Sequence, residues 1–468
     1  MTNVIANWWR ARQFSAALKQ NNTRLAERLL EDIQKSGARL SLLQQQFRNK
    51  LHAERYLHAR NLELAALRRQ LDETSPTLKS GLVKQNLELE KSLERHQQEI
   101  KFLKSRLDGF YIQDGHLLLQ PDIKFVKSVI SKFNINQTDN YLLECPNLDG
   151  DIFYDFELHL AEYLKHELSL YTPQTDLIKD LQTTYQKDIG ILKRGKDPQY
   201  DSYLSPHIYF MVYFLEGVYS AYLAWFLVYK SGLLPATINI LDIGAGSGAM
   251  LYGLFSFLRS ANSFAPLPQS HISYLSLELQ DSLQHHGFKF WQQYIETRTP
   301  EVINTYCRFK KFNLFAYGSN NEEARQLPKN HFDFIVISHC IFAEQEQRYK
   351  SNKIYKKIFS ESLKNNGYVL IVVQGRRLFQ AYGRSMTENQ SQEQKLIEDF
   401  IEELGLNLEW YKYMTSTGKR IPMGSGFAKF ASENLPHKKY MGKLMRHYLE
   451  INYDPHYVLD DYVILAKK

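Results

Sequence analysis

The run INILDIGAGSGAMLYGLFSFL, from Ile238 to Leu258, holds the residues whose types and spacing bear most directly on chemistry. Gly244, Gly246 and Gly248, with Ala245 between the first two, let the chain turn sharply and approach a ligand with no Cβ in the way. The helix expected beyond them offers free backbone amides at its N-terminus. With Ala249 as the next small residue, the spacing also fits the GxGxxG/A pattern that cradles a dinucleotide pyrophosphate. Asp242, two residues before the first glycine, separates the two readings: a carboxylate there attracts a cationic ligand and repels a pyrophosphate.

The stretch ISYLSLE ends in Glu278, and a carboxylate at a strand end can accept hydrogen bonds from both hydroxyls of a ribose. Glu278 lies further beyond the last glycine than the usual interval of about twenty residues. The Ser/Pro-containing SANSFAPLPQS explains the excess as a loop insertion. HFDFIVISHCIFAE places Ser338, His339 and Cys340 at the far end of another apolar run. His339 is the candidate general base, since imidazole titrates near neutrality, against the alternative of a packing residue. Cys340 is a candidate nucleophile. In NNGYVLIVVQGRR, the residues Gly375, Arg376 and Arg377 are placed to hold an acidic substrate or simply to be solvated.

These residues need a parallel sheet to bring them together. From Ile238 onward, apolar runs alternate with helical stretches, the pattern of a parallel sheet covered on both faces. Strands are predicted at Ile238–Ile243, Ile272–Leu277, Tyr306–Lys310, Phe334–Ser338, Tyr368–Val373, Leu408–Tyr413 and Tyr462–Ala466. In such sheets ligands bind at the carboxyl ends of the strands, where every residue named above falls.

The run LDIGAGSG resembles the first motif of class I S-adenosylmethionine-dependent methyltransferases. The resemblance covers about half the chain and implies an α/β fold with a Rossmann-like, seven-stranded, mostly parallel sheet. It implies S-adenosyl-L-methionine as cofactor, whose sulfonium and ammonium groups suit Asp242, with the glycine loop against the methionine part. It also puts Asn313 and Leu314, in RFKKFNLFAYG, beside the adenine, and Ser338 to Cys340 beside the methyl-transfer site. Neither the Pro-Cys pair of cytosine-5 methyltransferases nor the (D/N)PP(Y/F) run of amino-methylating nucleic-acid enzymes is present. A fainter resemblance joins DPQYDSYLSPHIYFMVYFLEGVYSAYLAWFLVYK and LPQSHISYLSLELQDS to cyanobacterial methyltransferase-like proteins associated with photosystem II assembly. It implies a cytoplasmic protein or one peripheral to the thylakoid membrane. Two functions stay open: a methyltransferase with an unidentified acceptor, and an assembly or scaffold factor that retains the fold.

Three regions are expected: a helical coiled-coil region over 1–108, a helical connecting region over 109–205 and the methyltransferase-like domain over 206–468. From Phe14 to Leu71 the apolar residues recur at helical spacing; Pro76 breaks the helix, and a second runs from Leu82 to Leu107. The pair reads either as a coiled coil, within the chain, in a homodimer or with a protein partner, or as helices packed on the body. His207–Lys230 is long enough to span a membrane with only Glu216 as an interior charge, but its tyrosines would lack water partners in hydrocarbon, which favours a buried helix. The net charge of +7 permits contact with nucleic acid or an anionic membrane without arguing for either. Basic residues among aromatics from Lys419 to Arg446 add an RNA-binding alternative. Cys145, Cys307 and Cys340 show neither a disulfide framework nor metal-ligand spacing.

Overall fold

The computed structural model describes residues 2–19, 22–36, 110–113, 116–171, 174–194, 196–318 and 327–468, with isolated positions between 38 and 94. The chain forms two units. One comprises Met1–Gln120, Gly232–Thr237 and Pro266–Ser270; the other comprises the rest.

In the first unit, helices Thr2–Lys19 and Thr23–Lys35 pack through Phe14, Ala17, Ala26, Leu29 and Leu30, joined by Phe47. The single long helix predicted from Phe14 is therefore interrupted. Asn22 caps the second helix, its side chain accepting from the Leu25 N–H, and that polar cap competes with helix continuation. Strands β1 (Phe110–Gln113) and β2 (His116–Leu119) pair antiparallel. The coiled coil through Leu71 and the helix from Leu82 to Leu107 lie outside the described residues.

The second unit is built on a nine-stranded sheet. Its strands are β3 (Asn136–Gln137), β4 (Leu142–Glu144), β5 (Thr237–Ile243), β6 (Ser270–Glu278), β7 (Ile303–Lys311), β8 (Phe332–Ser338), β9 (Leu363–Gln374), β10 (Asn407–Thr415) and β11 (Asp460–Lys467). They lie in the order β3-β4-β10-β11-β9-β8-β5-β6-β7. All seven predicted strands are present, and β5 and β9 run parallel to β8. β11 is antiparallel to both β9 and β10. This is the Rossmann-like arrangement of the class I methyltransferase type, with the order reversing between β5 and β8. Two strands exceed the expected seven: β4 joins β10 in parallel and β3 pairs with β4. They were not predicted because, at three and two residues, they are too short to show alternation.

β8 and β11 are buried along nearly their whole length, as strands covered on both faces must be. One cover is the helix Ser205–Lys230, which includes a π-helical stretch at Phe210–Phe214. By length and composition it qualifies as a membrane span, yet 78% of its apolar window is buried inside the protein. Its tyrosines have internal partners: the Tyr219 hydroxyl donates to the Asn147 carbonyl at 2.6 Å, and the Tyr229 hydroxyl accepts from the Asp122 N–H at 2.7 Å. It crosses Ala249–Phe264, the helix that follows the glycine turn, at small residues. A Cβ on Gly253 would lie 2.4 Å from Ala221 Cβ and 2.7 Å from Ala221 and Tyr222 backbone atoms. Trp225 Nε1 also donates to the Met250 carbonyl at 3.0 Å.

Because backbone lines that crossing, no rotamer change can make room there. Gly253→Val is expected to destabilise the protein by about 3 kcal/mol, the upper part of the usual range for overpacking. Gly424→Ala, with its nearest neighbour at 4.0 Å, should stay within about 0.5 kcal/mol of wild type. Urea titration of both variants checks the difference.

Candidate cofactor and acceptor site

β5 ends at Ile243 beside Ile337 of β8, so the glycine turn and Ser338–Cys340 leave the sheet side by side at the point where the strand order reverses. Gly244, Gly246 and Gly248 all have positive φ, at 68°, 55° and 86°. Gly244 is bounded by its neighbour: a Cβ there would sit 2.4 Å from Cys340 Sγ. Gly246 has room above it, the nearest atom to such a Cβ being the Tyr209 hydroxyl at 3.7 Å. Ala245 is buried within the turn, whose Gly244 and Ala245 N–H groups both donate to the Leu277 carbonyl.

Asp242 lies beneath this turn and is 1% exposed. Its Oδ2 accepts from the Tyr274 hydroxyl of β6 at 2.6 Å, while Oδ1 is buried with no partner. Burial, with the charge of Glu278 adding to it, pushes the carboxyl up to about 7. Glu278, at the end of β6, reaches back to the turn: Oε2 accepts from the Gly246 N–H at 2.8 Å and Oε1 from the Gln280 N–H at 2.9 Å. The Leu279 N–H is a third backbone partner, so of the about four lone-pair sites of a carboxylate one remains. Burial raises this carboxyl as well, against the lowering effect of those N–H groups.

Asn313 and Leu314 follow β7. The Asn313 side-chain oxygen accepts from the Phe315 N–H at 3.0 Å, capping a short 3-10 turn, and Leu314 is buried behind it. Ser338 ends β8, half-buried. His339 adopts φ 51°, its N–H bonded to the Val372 carbonyl and its Nε2 3.8 Å from Asp461 Oδ1 at the start of β11. Burial pushes the Cys340 thiol up to about 12, which disfavours the thiolate. Arg377 is not free for an acidic substrate: it pairs with Asp197 and donates to the Ile341 carbonyl. Among the basic residues of the segment after β10, Arg420 is buried against Glu393 and Asp139, and Lys438 is buried 2.8 Å from Glu216. Both hold the fold together and present no charge to RNA.

Residues not singled out from the sequence complete the edge. The segment Asp197–Asp201 crosses the carboxyl ends of the strands. Asp197 Oδ2 accepts from the Ala343 N–H at 3.1 Å, and the Gln199 carbonyl accepts from Gln280 Nε2 at 2.6 Å. Tyr200, at φ 50°, sets its ring 6.1 Å from that of Tyr209. No spacing rule connects these positions to the glycine turn, and only the fold brings them there.

No family model and no curated protein sequence matches the chain. Solved methyltransferase structures are similar to part of it. A TehB-like S-adenosylmethionine-dependent methyltransferase from Corynebacterium glutamicum is 12% identical over 53% of this chain and 87% of its own, with a TM-score of 0.25. Loganic acid methyltransferase with S-adenosylhomocysteine is 10% identical over 54% of this chain and 93% of its own, at 0.28. The 16S rRNA methyltransferase KamB is 9% identical over 49% of this chain and 87% of its own, at 0.28.

The raised Asp242 carboxyl has a consequence for stability. The native state keeps a proton that the unfolded chain releases near the ordinary value of 3.8, so this group's contribution falls as pH rises from about 4 to about 7. Other buried groups titrate in the same interval, so the informative quantity is the difference between wild type and Asp242→Asn. Urea midpoints measured from pH 4 to pH 8 should move in the variant's favour as pH rises through that window and level off above it. A difference that is flat with pH would contradict a raised Asp242.

Proposed function

We propose that the carboxyl edge of the sheet binds S-adenosyl-L-methionine and that the protein transfers its methyl group to an acceptor presented at the ends of β8 and β9. The observation that carries this reading is the bond from the Gly246 N–H to Glu278. It ties the open glycine turn, the buried Asp242 beneath it and a ribose-binding carboxylate into one wall. The residues fit the group. Gly246 leaves space where a side chain would intrude, and Asp242 Oδ1 is an orphaned acceptor under the turn. The like charges of Asp242 and Glu278 make a cation a favourable neighbour and a pyrophosphate an unfavourable one.

In this reading Glu278 accepts from the ribose on the lone-pair site that the Gly246, Leu279 and Gln280 N–H groups leave. Leu314 supplies an apolar wall for the adenine, and Asn313 offers its amide nitrogen, since its oxygen already caps the following turn. Gly244, Ala245, Gly246 and Gly248 shape the methionine side, with Ser338 next to it. The sulfonium supplies an already activated methyl group when the cofactor is bound, so the protein's task is positioning, with proton removal where the acceptor requires it. His339 is the group placed to take that proton, its Nε2 lying 3.8 Å from Asp461 Oδ1.

Residues 1–108 would serve self-association or recruitment of a partner. The alternative class, an assembly or scaffold factor that keeps the fold, includes the photosystem II connection and a peripheral membrane location.

Calorimetry with S-adenosyl-L-methionine separates the two classes. Wild type is expected to bind, Gly246→Arg to lose binding by filling the space over the turn, and Asp242→Asn to bind roughly tenfold more weakly, about 1.4 kcal/mol. If wild type binds nothing, the enzyme reading falls and the scaffold reading stands.

A further inference from the structure

Three helices of the second unit converge on two histidines and a glutamate far apart in sequence. Glu167 lies near the end of helix Gly150–Ser169, His207 in the first turn of Ser205–Lys230, and His286 in Asp281–Tyr294. A ring nitrogen of each histidine and a Glu167 oxygen all lie within 4.8 Å of one another. The imidazole rings are 4.6 Å apart, and His286 Nδ1 is 3.7 Å from Glu167 Oε2 and 2.7 Å from the Tyr163 hydroxyl.

His207 is the telling residue. It is 1% exposed, and neither of its ring nitrogens has a hydrogen-bond partner. A neutral imidazole carries one donor and one acceptor, and leaving buried polar atoms unsatisfied costs about 1–3 kcal/mol each. Its ring neighbours are the His286 imidazole and, at 5.7 Å, the Tyr171 ring, and the Glu167 carboxylate lies close by, so two metal-ligand types surround a pair of nitrogens that no donor or acceptor engages.

We propose that Glu167, His207 and His286 bind a zinc-class divalent ion that clamps these three helices together. Two imidazoles and one carboxylate form a set that suits zinc, with a fourth position left for water or the Tyr163 hydroxyl. At zinc–ligand distances of about 2.0–2.2 Å, tetrahedral ligands stand roughly 3.4 Å apart, so the present spread closes by small side-chain shifts. Lys289 now donates to both Glu167 oxygens at 3.0 Å. Its side chain is 38% exposed, so it can turn to solvent when the ion takes over as counter-charge. The ion would brace the cofactor edge from behind. Gly287, next to His286, packs so closely under the glycine turn that a Cβ would meet the Ser247 carbonyl at 2.5 Å, and Tyr209 over Gly246 lies two residues from His207.

The test uses untagged full-length protein and zinc alone, with free zinc set by a competing chelator. One equivalent is expected to bind, raising Tm with zinc concentration. Cobalt in its place should give a visible spectrum of nitrogen and oxygen ligation without a thiolate band. His207→Ala and His286→Ala should each weaken binding by about a hundredfold or more. Lys289→Met, which alters a partly exposed residue and keeps all three ligands, should tighten binding by removing the competing cation. The proposal is overturned if wild type fails to take up zinc at micromolar free concentration. It is equally overturned if binding survives in the double histidine variant or if Lys289→Met leaves affinity unchanged. None of these readouts depends on S-adenosylmethionine, so the cofactor reading stands or falls separately.

Discussion

Gly244 turns at φ 68° with Cys340 Sγ occupying the place where its own Cβ would be, and much of the carboxyl edge follows from that contact. Any side chain at Gly244 would push the end of β5 away from the end of β8. Gly244 and Ala245 then could not hold both their amides on the Leu277 carbonyl, and the bond from the Gly246 N–H to Glu278 would lose its register. The approach is possible because Ile240 to Ile243 run in parallel register with Phe334 to Ile337, which brings both strands to the edge at the same level. Glycine at this position is thus a packing requirement as well as a conformational one.

The same edge concentrates charge that is expensive to bury. Asp242 and Asp460 are both pushed up to about 7 by burial, and each keeps one oxygen without a partner. Further out the buried acids are paired with cations or helix amides. Glu157 accepts from the Tyr440 and Met441 N–H groups at the start of helix Met441–Leu449, and Arg420 lies between Glu393 and Asp139. Compensated groups tie elements together. Asp242 and Asp460 lie on the rim of the proposed site, where a cationic ligand would find them, and a buried carboxyl held near neutrality responds to such a charge by giving up its proton.

What could be read from the sequence was whatever depends on neighbours along the chain. Continuous apolar runs located Ile238–Ile243, Phe334–Ser338 and Tyr462–Ala466, because strands covered on both faces must be apolar nearly throughout. The tyrosine content of His207–Lys230 argued for burial in protein, and Tyr219 and Tyr229 indeed find internal partners. What escaped depends on neighbours in space. Leu142–Glu144 is too short to announce a strand and is one only because the edge of β10 is available. Arg377 looked like a substrate anchor until Asp197 came across the edge to pair with it. Glu167, His207 and His286 share no spacing, since three helices deliver them from separate parts of the chain.

Backbone strain at this edge points the same way as its charge. Five described non-glycine residues have positive φ: Asn134, Tyr200, Asn330, His339 and Glu450. Asparagine enters that region at little cost, and Glu450 does so at the end of helix Met441–Leu449, where a left-handed residue is a common terminator. Tyr200 and His339 have no such reason, and each conformation costs on the order of 1–3 kcal/mol. Both lie on the carboxyl edge, Tyr200 in the crossing segment and His339 at the end of β8. Surrounding structure holds them there: the Gln199 carbonyl is anchored by Gln280, and the His339 N–H by the Val372 carbonyl. In this left-handed turn the His339 Nε2 lies 3.8 Å from Asp461 Oδ1. The strain therefore has an identifiable product, an imidazole set beside a carboxylate next to the glycine turn, and the proposed role of His339 as general base rests on that placement.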